Sequence, residues 1–104
     1  MIEQKIVEIV DFIVAHGMPK KVILFGSRAR GGADNDSDVD LAILYDGLDR
    51  NPFEIAAGLR MNLLAVTVLP IDLLVYDSKD FEARAKHGAS FESRIEREGV
   101  RAYG

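Results

Sequence analysis

Apolar residues recur at helical spacing near the start of the chain, at Ile2, Ile6, Ile9, Val10, Ile13 and Val14. Glu3, Lys5, Glu8 and Asp11 fall mostly on the opposite side. This predicts an amphipathic helix over 2–15, stopped by Gly17 and Pro19. The run KVILF over 21–25 is short, apolar and β-branched, and predicts a buried strand leading straight into Gly26. A polar segment follows over 26–37, and its second half, with Gly31, Gly32, Asp34, Asn35 and Asp36, reads as a turn. A second strand is predicted over 39–45, its start alternating charged and apolar residues. Asn51 and Pro52 cap a helix predicted over 53–64. A third strand is predicted over 71–76, after Pro70. Ser78 is expected to cap a helix over 78–86, a further helical piece spans 90–98, and a short last strand is expected over 100–103. The order helix, strand, strand, helix, strand, helix, strand predicts an α/β (α+β) domain with a mixed sheet and flanking helices.

Composition narrows the picture. At 104 residues, the expectation is a single domain over 1–104. Hydrophobic residues make up 48%, enough for one core, although a domain this short gains from a partner or a second copy. The net charge of −4 disfavours a long nucleic acid as direct substrate, because such binding rests on neutralising phosphates. It leaves room for a nucleotide held by a local basic cluster. The absence of cysteine excludes disulfides, cysteine-ligated zinc and thiol catalysis. The first residues lack the basic start of a secretory signal, and no apolar run approaches the roughly 20 residues of a membrane helix. The expectation is a cytoplasmic protein with no membrane partner.

The chemistry concentrates in GSRARGGADNDSDVDL over 26–41. Asp38 and Asp40 stand two apart at a strand start, so their carboxylates share one face of the sheet. Like charges so placed repel, and a divalent cation removes the cost. Hard oxygen ligands of this kind suit Mg2+, which binds one or two carboxylates together with substrate phosphates. Taken alone, an Asp-x-Asp is more often a solvated strand edge. At the other end of the segment, Gly26 lets the backbone approach a ligand closely and Ser27 adds a hydroxyl. Amides at such a turn can cradle phosphate oxygens, and Arg28 and Arg30 bring two guanidinium groups to it. Each of these features alone is an ordinary turn or solvated surface. Together they set a phosphate-binding turn against paired acids on a neighbouring strand.

Gly26-Ser27, ten further residues and then Asp38-Val39-Asp40 resemble the signature of the DNA polymerase β-like nucleotidyltransferases. The fuller string GSRARG…SDVDLAI resembles their small prokaryotic branch, the minimal nucleotidyltransferases of the MntA-like antitoxin type, along essentially the whole chain. The resemblance implies the nucleotidyltransferase fold and a third carboxylate on a later strand. Asp72, in PIDLLVY, fits that place, with Asp77 and Asp80 as competitors. It further implies two divalent ions (Mg2+, with Mn2+ an alternative) held by Asp38, Asp40 and Asp72, and in-line attack on the α-phosphorus of ATP. Ser27 and the backbone near Gly26 would then hold the β- and γ-phosphates, helped by Arg28 or Arg30. The branch is found beside HEPN-family toxins, so the implied acceptor is such a partner, modified with AMP on a tyrosine. Two other readings stay open: an antitoxin that neutralises its partner by binding alone, and a small-molecule nucleotidyltransferase. Asp34 and Asp36 read as turn residues, His16 and His87 as helix-end residues, and Tyr45, Tyr76 and Tyr103 as packing.

Overall fold

The apolar stripe at the start of the chain folds as α1 (Gln4–Gly17), burying Ile6, Ile9, Val10 and Ile13. The computed structural model describes residues 2–31 and 37–104. The turn expected at Asp34, Asn35 and Asp36 lies outside those residues. After α1 come β1 (Lys21–Phe25), a single helical turn α2 (Ser27–Arg30), β2 (Val39–Tyr45) and α3 (Pro52–Leu63). β3 (Ile71–Asp77), α4 (Ser78–Ala85), α5 (Phe91–Glu98) and β4 (Val100–Tyr103) complete the order.

Among the described residues the strands form one sheet in the order β3-β2-β1-β4. β1 runs antiparallel to both β2 and β4, while β2 and β3 are parallel. The expected mixed sheet with flanking helices is therefore present. Strand alternation sorts its side chains into two cores. Val22, Leu24, Val39, Leu41, Ile43 and Leu73 pack with α1 and α3 on one face. Ile23, Ala42 and Leu44 pack with Phe81 of α4 and Ile95 of α5 on the other. No helix among the described residues is long and apolar enough to cross a membrane.

Two helix ends differ from expectation. The left-handed residue that closes α1 is Met18, at φ 52° and ψ 50°, not Gly17. Its amide donates to the Val14 carbonyl at 3.1 Å, satisfying a group at the helix end that would otherwise lack a partner. The cap of α4 is Asp77 rather than Ser78. Its carboxylate accepts from the amides of Lys79 and Asp80 at 3.1 and 3.4 Å, which leaves Ser78 buried as the first helical residue. Asn51 caps α3 as expected, accepting from the Phe53 amide at 2.8 Å.

Candidate active site at the rim of the sheet

Strand direction gathers the candidate residues. Antiparallel pairing brings the end of β1 to the start of β2, and parallel pairing sets the start of β3 beside them. The register places Phe25 opposite Asp40 and Asp40 opposite Asp72. Val39 and Leu41 lie in the α1/α3 core, so Asp40 between them belongs to the opposite face. Asp72, between Ile71 and Leu73, belongs to that same face. Asp38 is exposed just ahead of β2. Asp77 lies at the far end of β3, paired with Tyr45, and is engaged by the α4 amides and by the Gly47 amide at 3.0 Å. Asp80 follows it on α4. Of the three acids considered beyond β2, Asp72 alone stands at the rim with Asp38 and Asp40.

Asp40 shows the electrostatic consequence. Partial burial pushes its carboxyl above the usual carboxylate range, and the charges of Asp72 and Asp38 push it further. The guanidinium of Arg30 partly opposes them. Among the described residues no three His, Asp or Glu side chains close around a single point as a metal cage. The three aspartates form an open rim, the kind of oxygen set on which a hard cation keeps positions for substrate phosphates.

Gly26 sits against this rim. Its φ of 76° lies in the left-handed region that favours glycine, and a Cβ there would run into the carboxylate of Asp40. Two constraints, backbone conformation and space, thus require a bare backbone where the turn meets the acids. α2 begins at the next residue, Ser27.

The two arginines separate. Arg28 is buried, its side chain 2% exposed. Its Nε donates to the Ser37 carbonyl at 3.0 Å and its Nη1 to Glu3 Oε1 at 3.0 Å. Arg28 therefore ties α2 both to the segment entering β2 and to the residue preceding α1. Arg30 is half-exposed, close enough to influence Asp40, with Nη1 3.9 Å from Glu98 Oε1.

Sequence reasoning missed what α5 contributes. A cavity of about 320 Å³ opens between the rim and this helix, lined by Gly26, Arg30, Asp40, Phe91, Arg94 and Glu98 among others. Arg94 and Glu98 form an i, i+4 pair at 3.4 Å. In sequence such a pair reads as an ordinary solvated helix face, and only the tertiary fold sets it opposite Gly26 and Asp40. A larger groove of about 510 Å³ follows β3 between Phe53 and Arg84. None of the rim aspartates lines it, so the chemistry is assigned by the acids and not by cavity size.

A family model described as a nucleotidyltransferase domain matches residues 3–101. No curated protein sequence matches significantly. Among solved structures, a putative nucleotidyltransferase from Sulfolobus solfataricus superposes with a TM-score of 0.58 at 22% identity, over 94% of this chain and 76% of that one. A toxin–antitoxin structure with AMP-PNP gives 0.55 at 20% identity, over 98% and 74%. A mutant of the MntA–HpeT toxin–antitoxin gives 0.51 at 17% identity, over 92% and 70%. At these identities the likeness is one of fold.

Proposed function

The chain belongs to the nucleotidyltransferase domain family, and from that membership we propose that it transfers AMP from ATP to a hydroxyl on a protein partner, a toxin silenced by the modification. The observation that carries this reading is the register Phe25–Asp40–Asp72, which sets the Gly26-Ser27 turn and three acids on one rim.

Asp38, Asp40 and Asp72 would hold divalent metal, Mg2+ or Mn2+, which when bound neutralises phosphate charge and makes the acceptor hydroxyl easier to deprotonate. The remaining roles fall to the chain's own groups in the order of the strands. β3 is an edge strand among the described residues, so Asp72 stands on the side open to an acceptor. Asp40 lies one strand inward. Gly26, Ser27 and Arg30 lie beyond it at the end of β1. With strands about 4.8 Å apart, this row spans roughly 10 Å, the scale of an acceptor oxygen, an α-phosphorus and a pyrophosphate in line. The acceptor oxygen bonds to the α-phosphorus and the bond from that phosphorus to the α,β-bridging oxygen breaks. Pyrophosphate leaves and the acceptor proton is released. Bare backbone at Gly26, the Ser27 hydroxyl and the Arg30 guanidinium serve the departing pyrophosphate.

The choice of ATP and of a toxin acceptor draws support from the relatives: one is a toxin–antitoxin with AMP-PNP, another the MntA–HpeT pair. The motif string GSRARG…SDVDLAI resembles the branch found with HEPN toxins, which makes a tyrosine of such a toxin the acceptor of choice. Its hydroxyl, with a pKa of about 10, ionises far more readily than an aliphatic one. The decisive test is intact-mass spectrometry of the partner toxin after incubation with this protein, ATP and Mg2+. The expected result is the mass increase of one AMP, absent with Asp38→Asn and Asp72→Asn. Equal neutralisation by these variants with no mass increase would leave binding alone as the mechanism.

A further inference from the structure

α5 brings to the cavity a second arginine, Arg94, together with a carboxylate, Glu98. Arg30 and Arg94 reach it from different helices, and both are engaged by the same carboxylate, Glu98, at 3.9 and 3.4 Å. One anion thus serves two cations. Their side chains are 51% and 62% exposed, so these are weak, water-screened pairs that a stronger anion can displace. The opposite wall is Gly26, where only bare backbone fits, and Asp40. Phe91 makes an edge-to-face contact with Phe25, ring centroids 5.8 Å apart, which fastens the first turn of α5 to the end of β1. Arg94, one turn further along the helix, lines the same cavity.

We infer that this cavity is the seat of the pyrophosphate end of the nucleoside triphosphate, with Arg94 of α5 as a second cation beside Arg30 and Glu98 as an internal carboxylate that holds both arginines until the phosphates displace it. The inference rests on the nucleotidyltransferase reading and extends it to a helix outside the Gly-Ser and Asp-x-Asp motifs. Guanidinium groups suit the site because each can donate two parallel hydrogen bonds to one phosphate. A cavity of about 320 Å³ accommodates a diphosphate with its hydration. It adjoins the rim on the β1 side, away from Asp72 on the edge strand β3, which leaves the β3 side for the acceptor.

Titration calorimetry with three probes tests this: inorganic pyrophosphate, a non-hydrolysable ATP analogue and AMP, each with Mg2+. Arg94→Met should weaken pyrophosphate and the ATP analogue about tenfold or more, as expected for loss of a charge-assisted contact, and leave AMP binding unchanged. Arg94→Lys should recover part of the loss. Glu98→Gln, which releases both arginines, should tighten pyrophosphate several-fold. Arg94 is largely exposed, so unchanged melting temperatures serve as the check on folding. If wild type binds the ATP analogue and Arg94→Met binds it and pyrophosphate equally well, the cavity is not the pyrophosphate seat. A parallel loss of AMP binding would move the cavity to the nucleoside end and likewise overturn the inference. If wild type binds neither the analogue nor pyrophosphate, the nucleotidyltransferase reading fails and the inference with it.

Discussion

Replacing Asp40 by asparagine should make the metal-free protein more stable and the substrate-bound protein less so. The carboxyl of Asp40 is raised by partial burial and by Asp72 and Asp38, so ionising it is harder in the folded chain than in the unfolded one. The native state then holds its proton more tightly. Stability is fully present below the ordinary carboxylate range, falls as pH rises towards the raised value, and stays at the lower level above it. At pH 7 wild type carries this penalty and Asp40→Asn, similar in shape but neutral, does not. Asp40 retains contact with water, which screens its neighbours, so the expected gain is that of a water-screened charge interaction, about 0.2–1 kcal/mol. For a domain of this size that is a rise in Tm of roughly 1–8 °C. Saturating Mg2+ and an ATP analogue should reverse the order. A ligand at a hundred times its Kd adds about 2.7 kcal/mol to the protein that binds it, and the variant forfeits most of that. The assay is thermal melting at pH 7 and near pH 3, with EDTA and then with Mg2+ and analogue. A variant that melts below wild type in EDTA, or that keeps its rank when ligand is added, would refute the reasoning.

Four further substitutions separate the roles of individual residues. Gly26→Ala should cost about 1–3 kcal/mol, because φ 76° with ψ −159° is a conformation open essentially to glycine alone, and should weaken Mg-ATP more than that cost suggests, because the new methyl displaces the Asp40 carboxylate; melting and nucleotide titration together check both parts. Arg28→Ala should act on the fold, costing about 2–4 kcal/mol in urea denaturation by removing a buried guanidinium bonded to Glu3 and Ser37, whereas Arg30→Met should leave that midpoint unchanged and lower nucleotide affinity. Tyr76→Phe should cost about 1–3 kcal/mol in the same assay, since its hydroxyl donates at 2.8 Å to the largely buried Glu92 on α5.

What could be read in the sequence was what depends on near neighbours. KVILF and VDLAILY became strands with the expected bounds, and the ten-residue spacing between Gly26-Ser27 and Asp38 fixed which ends must meet. Asp72 fitted the third place because, like Asp40, it precedes an apolar strand; the parallel pairing of β2 and β3, which the sequence does not disclose, is what puts it beside Asp40 and puts Asp77 at the other rim. The arginines could not be told apart in the same way. Arg28 and Arg30 differ by two positions on one helical turn, and it is the fold that brings Arg28 to Glu3, 25 residues away, and to the Ser37 carbonyl. Arg94 was hidden for a related reason. Its partner at i+4 accounts for it completely until the fold sets α5 against Gly26. The cap exchange between Asp77 and Ser78 was a choice between two good capping residues, settled by which side chain reaches the amides two and three positions on.

The alternation along β2 also explains why such acids can coexist with a stable fold. Val39, Leu41 and Ile43 are all 0% exposed, and they hold the strand by the face opposite Asp40. A slip of one residue would turn Asp40 into that core and expel Val39 and Leu41 from it. The other face of β2 is a core as well, with Ala42 and Leu44 packed with Phe81 and Ile95, so the slip would misfit both cores and bury the Asp40 charge unpaired. Repulsion among Asp38, Asp40 and Asp72, screened by the water that each still meets, cannot compete with that. The apolar face of β2 is therefore what holds the carboxylates together without metal. The same residues that stabilise the domain also keep its charged rim assembled in advance of substrate.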